Sequence, residues 1–116
     1  MLMHDVQFEQ TRNLVIARLG MPNLSGPEMA ELAAEMSEAV RYDNAQLFVL
    51  DMAKVEFMDS ASIGGLVTFL QDLEHVHGRV GIAACQPNVE FLFKVTRLDN
   101  VVTLFADVEE ALEEWL

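Results

Sequence analysis

Apolar positions change their spacing several times along the chain, and each change predicts a different element. Val6–Gln10 and Asn13–Leu19 are short β-prone runs, and the polar residues where they meet predict a hairpin turn. A connection this short cannot hold a helical crossover, so the two strands are predicted to be antiparallel. Gln46–Met52 and Arg79–Ala84 are almost continuously apolar, as strands buried on both faces are. A last short strand is predicted at Val101–Phe105.

Helical spacing appears between these strands. The turn-rich segment Gly20–Pro27 predicts a loop, and Pro27 is predicted to open a helix capped by Ser25 or Gly26. Apolar residues then recur three and four positions apart, at Met29, Leu32, Ala33, Met36 and Val40.

Three further helices complete the prediction. One follows Ser60 and ends at His77-Gly78, with an apolar stripe formed by Ile63, Leu66, Val67, Leu70 and Leu73. Pro87 opens a short helix, and Asp107–Leu116 forms the last one. Strands that alternate with helices predict an α/β fold. We therefore expect a single domain over residues 1–116, with a mixed sheet whose first two strands are antiparallel and the rest mostly parallel, packed with about four helices.

Net charge and the single cysteine narrow the class of protein. The formal net charge of −12 repels phosphate backbones and anionic lipids, which argues against direct binding to nucleic acid or a membrane surface. Cys85 cannot form an internal disulfide and lies in an apolar run, so we expect a small buried side chain in a cytoplasmic protein. Met1–Gln7 has no secretory-signal pattern, and no apolar run approaches the ~20 residues of a membrane span.

The segment Asp51–Leu66 carries the most informative chemistry. A predicted buried strand runs into a loop that ends at Asp59 and Ser60, immediately before a helix. The Asp59 carboxylate can accept backbone N–H bonds from the first helical turn. Ser60 would lie in that turn, at the positive end of the helix dipole, where a phosphate would be tolerated. The spacing alone is more typical of an ordinary helix cap without regulation.

The run Phe57–Leu66 resembles the signature of the STAS family, typified by bacterial anti-sigma factor antagonists. In that family a strand leads to Asp-Ser-Ser-Gly or Asp-Ser-Thr-Gly and then to an apolar helix. The resemblance extends over nearly the whole chain, through the order and spacing of the predicted strands and helices. It implies a protein-binding domain rather than an enzyme.

The resemblance places the family's regulatory phosphoserine at Ser60 and the aspartate before it at Asp59. It implies that the unphosphorylated protein binds an anti-sigma factor that is also a serine kinase. This binding releases the sigma factor, phosphorylation breaks the complex, and a serine phosphatase restores it.

Three positions depart from the family pattern. Ala61 stands where Ser or Thr is usual, which leaves Ser60 as the candidate phosphoacceptor. Ser62 stands where Gly is usual, and we expect its side chain to add to the partner surface. Asn23, in the loop before the first helix, stands where an aspartate near the phosphoacceptor is frequent.

A second stripe on the helix after Ser60 is a candidate partner surface. It includes Ser62, Gly65 and Phe69, and Ile63 lies beside it. Phe69 either packs against the next helix or faces a partner as an exposed aromatic anchor, and the spacing leaves both interpretations open.

Other functions have weaker support in the sequence. His4, His75 and His77 lack metal-ligand spacing, so neither a metal nor another cofactor is predicted. A hydrolase using Ser60 would need a base and an oxyanion hole that no motif supplies. Asn23 and Ser62 keep open an alternative without switching, either as a scaffold in a stress-signalling assembly or as an accessory subunit of a lipid-transport complex. The sequence leaves the oligomeric state open, a homodimer included.

Overall fold

The two β-prone runs at the start of the chain form the predicted hairpin. In the computed structural model, which describes residues 3 and 5–116, Val6 pairs with Leu19 and Thr11 with Leu14 in an antiparallel ladder. Arg12 makes the turn with a positive φ of 57°. The expectations about the N-terminal segment and His4 concern Met1, Leu2 and His4, which lie outside the described residues.

Seven strands and four helices follow one another along the described residues. The strands are β1 (Val6–Thr11), β2 (Leu14–Leu19), β3 (Asn23–Leu24), β4 (Leu47–Asp51), β5 (Phe57–Met58), β6 (Arg79–Ala83) and β7 (Thr103–Phe105). The helices are α1 (Gly26–Asp43), α2 (Ser60–Leu73), α3 (Pro87–Val95) and α4 (Val108–Trp115). Short 3-10 turns cover Glu74–Val76 and Leu98–Asn100.

The main sheet has the order β1-β2-β4-β6-β7, and every pair after the first is parallel. This confirms the predicted mixed sheet. Strands β3 and β5 form a separate two-residue parallel pair, in which Asn23 lies opposite Phe57 and Leu24 opposite Met58. The sequence predicted a loop at Asn23-Leu24, because two residues are too few to show a period.

Two hydrophobic cores lie on opposite faces of the sheet. The larger core packs α1, α2 and α3 against alternate residues of the central strands, among them Phe48, Leu50 and Ile82. The smaller core packs α4 against the intervening residues, with Val49 and Phe105 at its centre. This alternation explains why β4 and β6 are apolar on both sides.

The four helices start within one residue of the predicted positions, whereas α2 ends earlier than predicted. Ser25 caps α1, and its hydroxyl accepts the backbone N–H of Glu28 at 3.4 Å. Helix α2 ends at Leu73, four residues earlier than predicted, and His77 takes a left-handed conformation after the 3-10 turn. Gly78 follows, where a Cβ would lie 2.8 Å from the Gln46 carbonyl oxygen.

Cys85 is half-buried against the larger core. Burial raises the pKa of its thiol to about 12, with a smaller contribution from the charge of Glu90. The thiol is therefore protonated at neutral pH, as expected of a packing residue rather than a reactive one.

None of the helices in the described part of the chain is both long and apolar enough to span a membrane.

Candidate functional site

Asp59 caps α2 in the way the sequence predicts. Its backbone is extended, and its Oδ1 accepts the backbone N–H of Ser62 at 2.7 Å. Its carbonyl oxygen accepts the N–H of Ile63 at 3.2 Å, the first hydrogen bond of the helix. The side chain thus satisfies one of the four N–H groups that a helix start leaves without a partner.

The same carboxylate also reaches the start of α1. The backbone N–H of Gly26 donates to Asp59 Oδ2 at 3.4 Å. The hydrogen bond from Ser62 lowers the pKa of Asp59 below 3.8, and the Gly26 hydrogen bond adds to this effect while desolvation opposes it. Asp59 is therefore ionised at neutral pH, and its charge lies between two helix N-termini, where dipoles favour a negative group.

Small residues bring the starts of α1 and α2 together. A Cβ added to Gly26 would lie 2.6 Å from the Cβ of Ala61, which is too close for two carbon atoms. Gly65, one turn further along α2, would place a Cβ 2.9 Å from Met29 Cγ. Without side chains at these glycines, the helices approach closely enough for Asp59 to bridge them.

Ser60 is the first residue of α2 and is exposed to solvent. Its hydroxyl takes part in none of the hydrogen bonds found among residues 3 and 5–116. It therefore lies free at the positive end of a helix of 14 residues, beside an ionised carboxylate. A group added to this hydroxyl would project into solvent without displacing the core.

The prediction that Ser62 adds a side chain to the surface is wrong. Ser62 is fully buried, and its hydroxyl donates to the Asp59 carbonyl oxygen at 2.7 Å. That hydrogen bond satisfies the hydroxyl inside the protein, as a buried polar group requires. Ser62 consequently supports the cap instead of facing solvent.

The prediction of Phe69 as an exposed anchor is also wrong: Phe69 is buried, as its packing alternative expects, but its ring partner lies in β4. The ring is only 2% exposed and packs edge-on against Phe48, with 5.3 Å between ring centroids. Gly65 faces Met29 of α1, and Ile63 is half-buried against the core. Of the residues predicted to contact a partner, Ser60 alone is exposed.

Ala61 adjoins Ser60 in the chain, whereas Asn23 is brought to this region by strand pairing. Ala61 is adjacent in the chain, exposed, and in contact with the start of α1. Asn23 is exposed in β3, opposite Phe57 of β5, so it shares the edge from which the chain leads into Ser60.

The predicted site omitted the exposed apolar residues around it. Phe57, Phe91 and Val95 are each more than half exposed. The sequence carries no clear signal for them, since Val55, two residues before the exposed Phe57 in the same segment, is fully buried.

Within residues 3 and 5–116, the His, Cys, Asp and Glu side chains form no group of three that could hold a metal ion. His75 and His77 are both exposed at the end of α2.

The candidate site is an exposed serine that follows a capping aspartate, in an α/β domain with a mixed five-stranded sheet. The family model of the STAS domain matches residues 5–111, and the chain belongs to the STAS domain family. A protein of Thermotoga neapolitana named "Putative anti-sigma factor antagonist TM1081 homolog" is 33% identical over 66 residues. The match covers 57% of this chain and 58% of that protein, so it spans little more than half of the curated relative.

Two solved structures extend the comparison to nearly the whole chain. The Bacillus cell fate determinant SpoIIAA in its phosphorylated form is 25% identical, with a TM-score of 0.74 over 94% of this chain and 97% of that one. An anti-sigma-factor antagonist (STAS) domain protein from Planctomyces limnophilus has a TM-score of 0.81 at 20% identity, over 97% and 98% of the two chains. The second likeness shows a shared fold.

Proposed function

We propose that this protein is an anti-sigma factor antagonist whose binding to an anti-sigma factor is controlled by phosphorylation of Ser60. The proposed partners are an anti-sigma factor with serine kinase activity and a phosphatase that removes the phosphate, in the cytoplasm. The observation that carries the proposal is the free Ser60 hydroxyl at the start of α2, next to the ionised Asp59. Membership of the STAS family and the likeness to SpoIIAA in its phosphorylated form support it.

Phosphorylation at this place would change the surface and leave the fold intact. A phosphate carries nearly two negative charges and three acceptor oxygens. The first turn of α2 offers N–H groups and a favourable dipole, so the added group is tolerated within the domain. A partner surface that fits the neutral hydroxyl would meet a dianion beside the Asp59 carboxylate, and the complex would dissociate through repulsion and desolvation.

The test is a kinase and binding assay with the anti-sigma factor kinase encoded in the same genome. With ATP, phosphate should appear on the wild-type chain and on Thr68→Ala, and be absent from Ser60→Ala. Thr68 is the matched control because it is an exposed hydroxyl residue two turns further along α2, bonded only to the Gly64 carbonyl oxygen. Ser60→Asp should bind the kinase at least about tenfold more weakly than Ser60→Ala.

Two results would count against the proposal. If the unmodified chain forms no complex with any anti-sigma factor of its organism, the antagonist function is wrong. If a complex forms and Ser60→Asp binds as tightly as wild type, the protein is a STAS subunit without a phosphorylation switch, as in a scaffold or an accessory subunit of a transport complex.

A further inference from the structure

Three large apolar side chains on β5 and α3 are left in water by this fold. Phe57 is 61% exposed, Phe91 66% and Val95 62%. Single exposed hydrophobic residues are common on soluble domains, whereas adjacent ones usually mark a surface that another molecule covers. We call these three residues the aromatic patch.

A hydrogen bond fixes α3 beside β5 and so assembles the aromatic patch. The Asn88 side-chain amide donates to the carbonyl oxygen of Glu56, the residue immediately before Phe57. Residues three and four apart share one face of a helix, which places Asn88, Phe91 and Val95 in a single row. That row begins at the Asn88 contact, so the exposed face of α3 lies next to the exposed ring of Phe57.

The aromatic patch also adjoins Ser60. Phe57 precedes Ser60 by three residues, and three residues of extended chain span at most about 10 Å. A molecule that covers the Phe57 ring would therefore extend over the Ser60 hydroxyl or lie directly beside it.

The charges around the aromatic patch indicate which kind of surface fits it. Glu56, Asp59 and Glu90 are exposed at its border, and so is the cationic Arg97, two residues after Val95. Lys94, on the same helix, is engaged by Glu90 at 3.8 Å. The whole chain has a formal net charge of −12, so a second copy would bring like charges together. A partner surface with an apolar centre and a rim of lysine or arginine is complementary to the aromatic patch and to the acidic chain that carries it.

We propose that the aromatic patch anchors the anti-sigma factor on the antagonist, by accepting an apolar segment of that partner flanked by basic side chains. This proposal rests on the proposed function and adds to it the residues that supply affinity, since Ser60 itself is a small polar group. Buried aromatic side chains at the centre of an interface are the usual sources of binding energy. In this arrangement the aromatic patch supplies affinity for the partner, and phosphorylation of Ser60 determines whether the complex persists.

The test measures the affinity of the anti-sigma factor kinase for variants of the patch. Phe57→Ala and Phe91→Ala should each raise Kd by about tenfold or more, as for a central aromatic residue. Tyr42→Ala is the matched control, since Tyr42 is 71% exposed at the far end of the 18-residue α1, about 25 Å from its start. It should leave Kd within about twofold of wild type. Circular dichroism of each variant verifies that the domain is folded.

A second readout avoids substitution effects on folding. A photoreactive phenylalanine analogue at position 91 should crosslink to the kinase, whereas the same analogue at position 42 should not. Binding should weaken between about 0.05 and 0.5 M salt, because screening reduces the attraction between this acidic chain and a basic partner surface.

The outcomes separate this proposal from the one it rests on. If the wild-type chain binds no anti-sigma factor, both proposals are wrong. If it binds and both phenylalanine variants bind equally well, the antagonist function stands and the aromatic patch is not the anchor. If sedimentation shows that the chain dimerises and that Phe91→Ala abolishes the dimer, the occupant is a second copy and the proposal is overturned.

Discussion

Replacing Gly26 by alanine tests whether the site depends on the close approach of α1 and α2. Gly26 does not need a glycine for its backbone conformation, since no glycine in the described part of the chain has a positive φ. The added Cβ would lie 2.6 Å from Ala61 Cβ, while the other near atoms of Ala61 are 3.6 and 3.7 Å away. Carbon atoms in contact are about 3.5–4.0 Å apart, so one helix start must move by about 1 Å.

The magnitude follows from two opposing effects. At a position with a compatible backbone, glycine to alanine stabilises a protein by about 0.4–1 kcal/mol through the unfolded state. Overpacking a tight contact costs about 1–3 kcal/mol. We expect a net loss of about 1–2 kcal/mol in the free energy of unfolding, which lowers Tm by about 4–8 °C for a chain of this length. The same movement lengthens the hydrogen bond from Gly26 to Asp59.

Urea and thermal unfolding of four variants measure this effect. Gly64→Ala is the matched control, since no atom lies within 4 Å of its added Cβ, and it should gain up to about 1 kcal/mol. Ala61→Gly removes the methyl group that obstructs position 26, so the double variant with Gly26→Ala should be about 1–2 kcal/mol more stable than additivity predicts. A Gly26→Ala protein as stable as wild type, or a double variant with additive losses, would refute the reasoning.

Three further predictions address the residues around the site. Phe69→Ala should cost about 3–5 kcal/mol in urea unfolding because it empties a buried ring site, and a cost below about 1 kcal/mol would mean that the ring is not in the core. Ser62→Ala should change stability by less than about 1 kcal/mol, since the Asp59 carbonyl oxygen keeps the Ile63 N–H and alanine favours helix; a larger loss would give the hydroxyl a role beyond this hydrogen bond. The pKa of Asp59 is lower in the folded protein than its ordinary 3.8, so its ionised form stabilises the fold above pH 3.8 and this contribution is lost as the pH falls through the folded pKa. Below pH 3.8 the free energy of unfolding should therefore fall less steeply with decreasing pH for Asp59→Asn than for wild type. Identical slopes for the two proteins would contradict the capping role.

The order of strands and helices was predictable because each main element carries its own signal. β4 and β6 are continuous apolar runs, and Ser25 and Asp59 are capping residues placed immediately before helical periods. The pair β3–β5 was not predictable, since it consists of two residues in each strand and forms only when distant segments meet.

The orientation of α2 was not predictable from its period. Apolar residues surround much of this helix, so more than one stripe can be drawn along it. Leu66 and Leu73 of the predicted stripe are buried, as expected, whereas its Ile63, Val67 and Leu70 are only half-buried. Ser62 and Phe69 complete the buried face in their place. The polar residue Ser62 made the buried face look exposed in the sequence. It can be buried because its hydroxyl donates a hydrogen bond to the backbone within its own helix turn.

The hydrogen bonds and charges around Asp59 explain why a phosphate on Ser60 would affect a partner more than the fold. Asp59 already accepts the backbone N–H groups of Ser62 and Gly26, so a phosphate would share the remaining donors of the first turn with an adjacent carboxylate. The ion pairs found in the described part of the chain involve Arg18 and Lys94, and neither binds Asp59. The added dianion would therefore lack a neutralising side chain and remain directed into solvent. Its electrostatic cost would arise when a partner covered it, which is the condition for a switch that changes binding and leaves the domain folded.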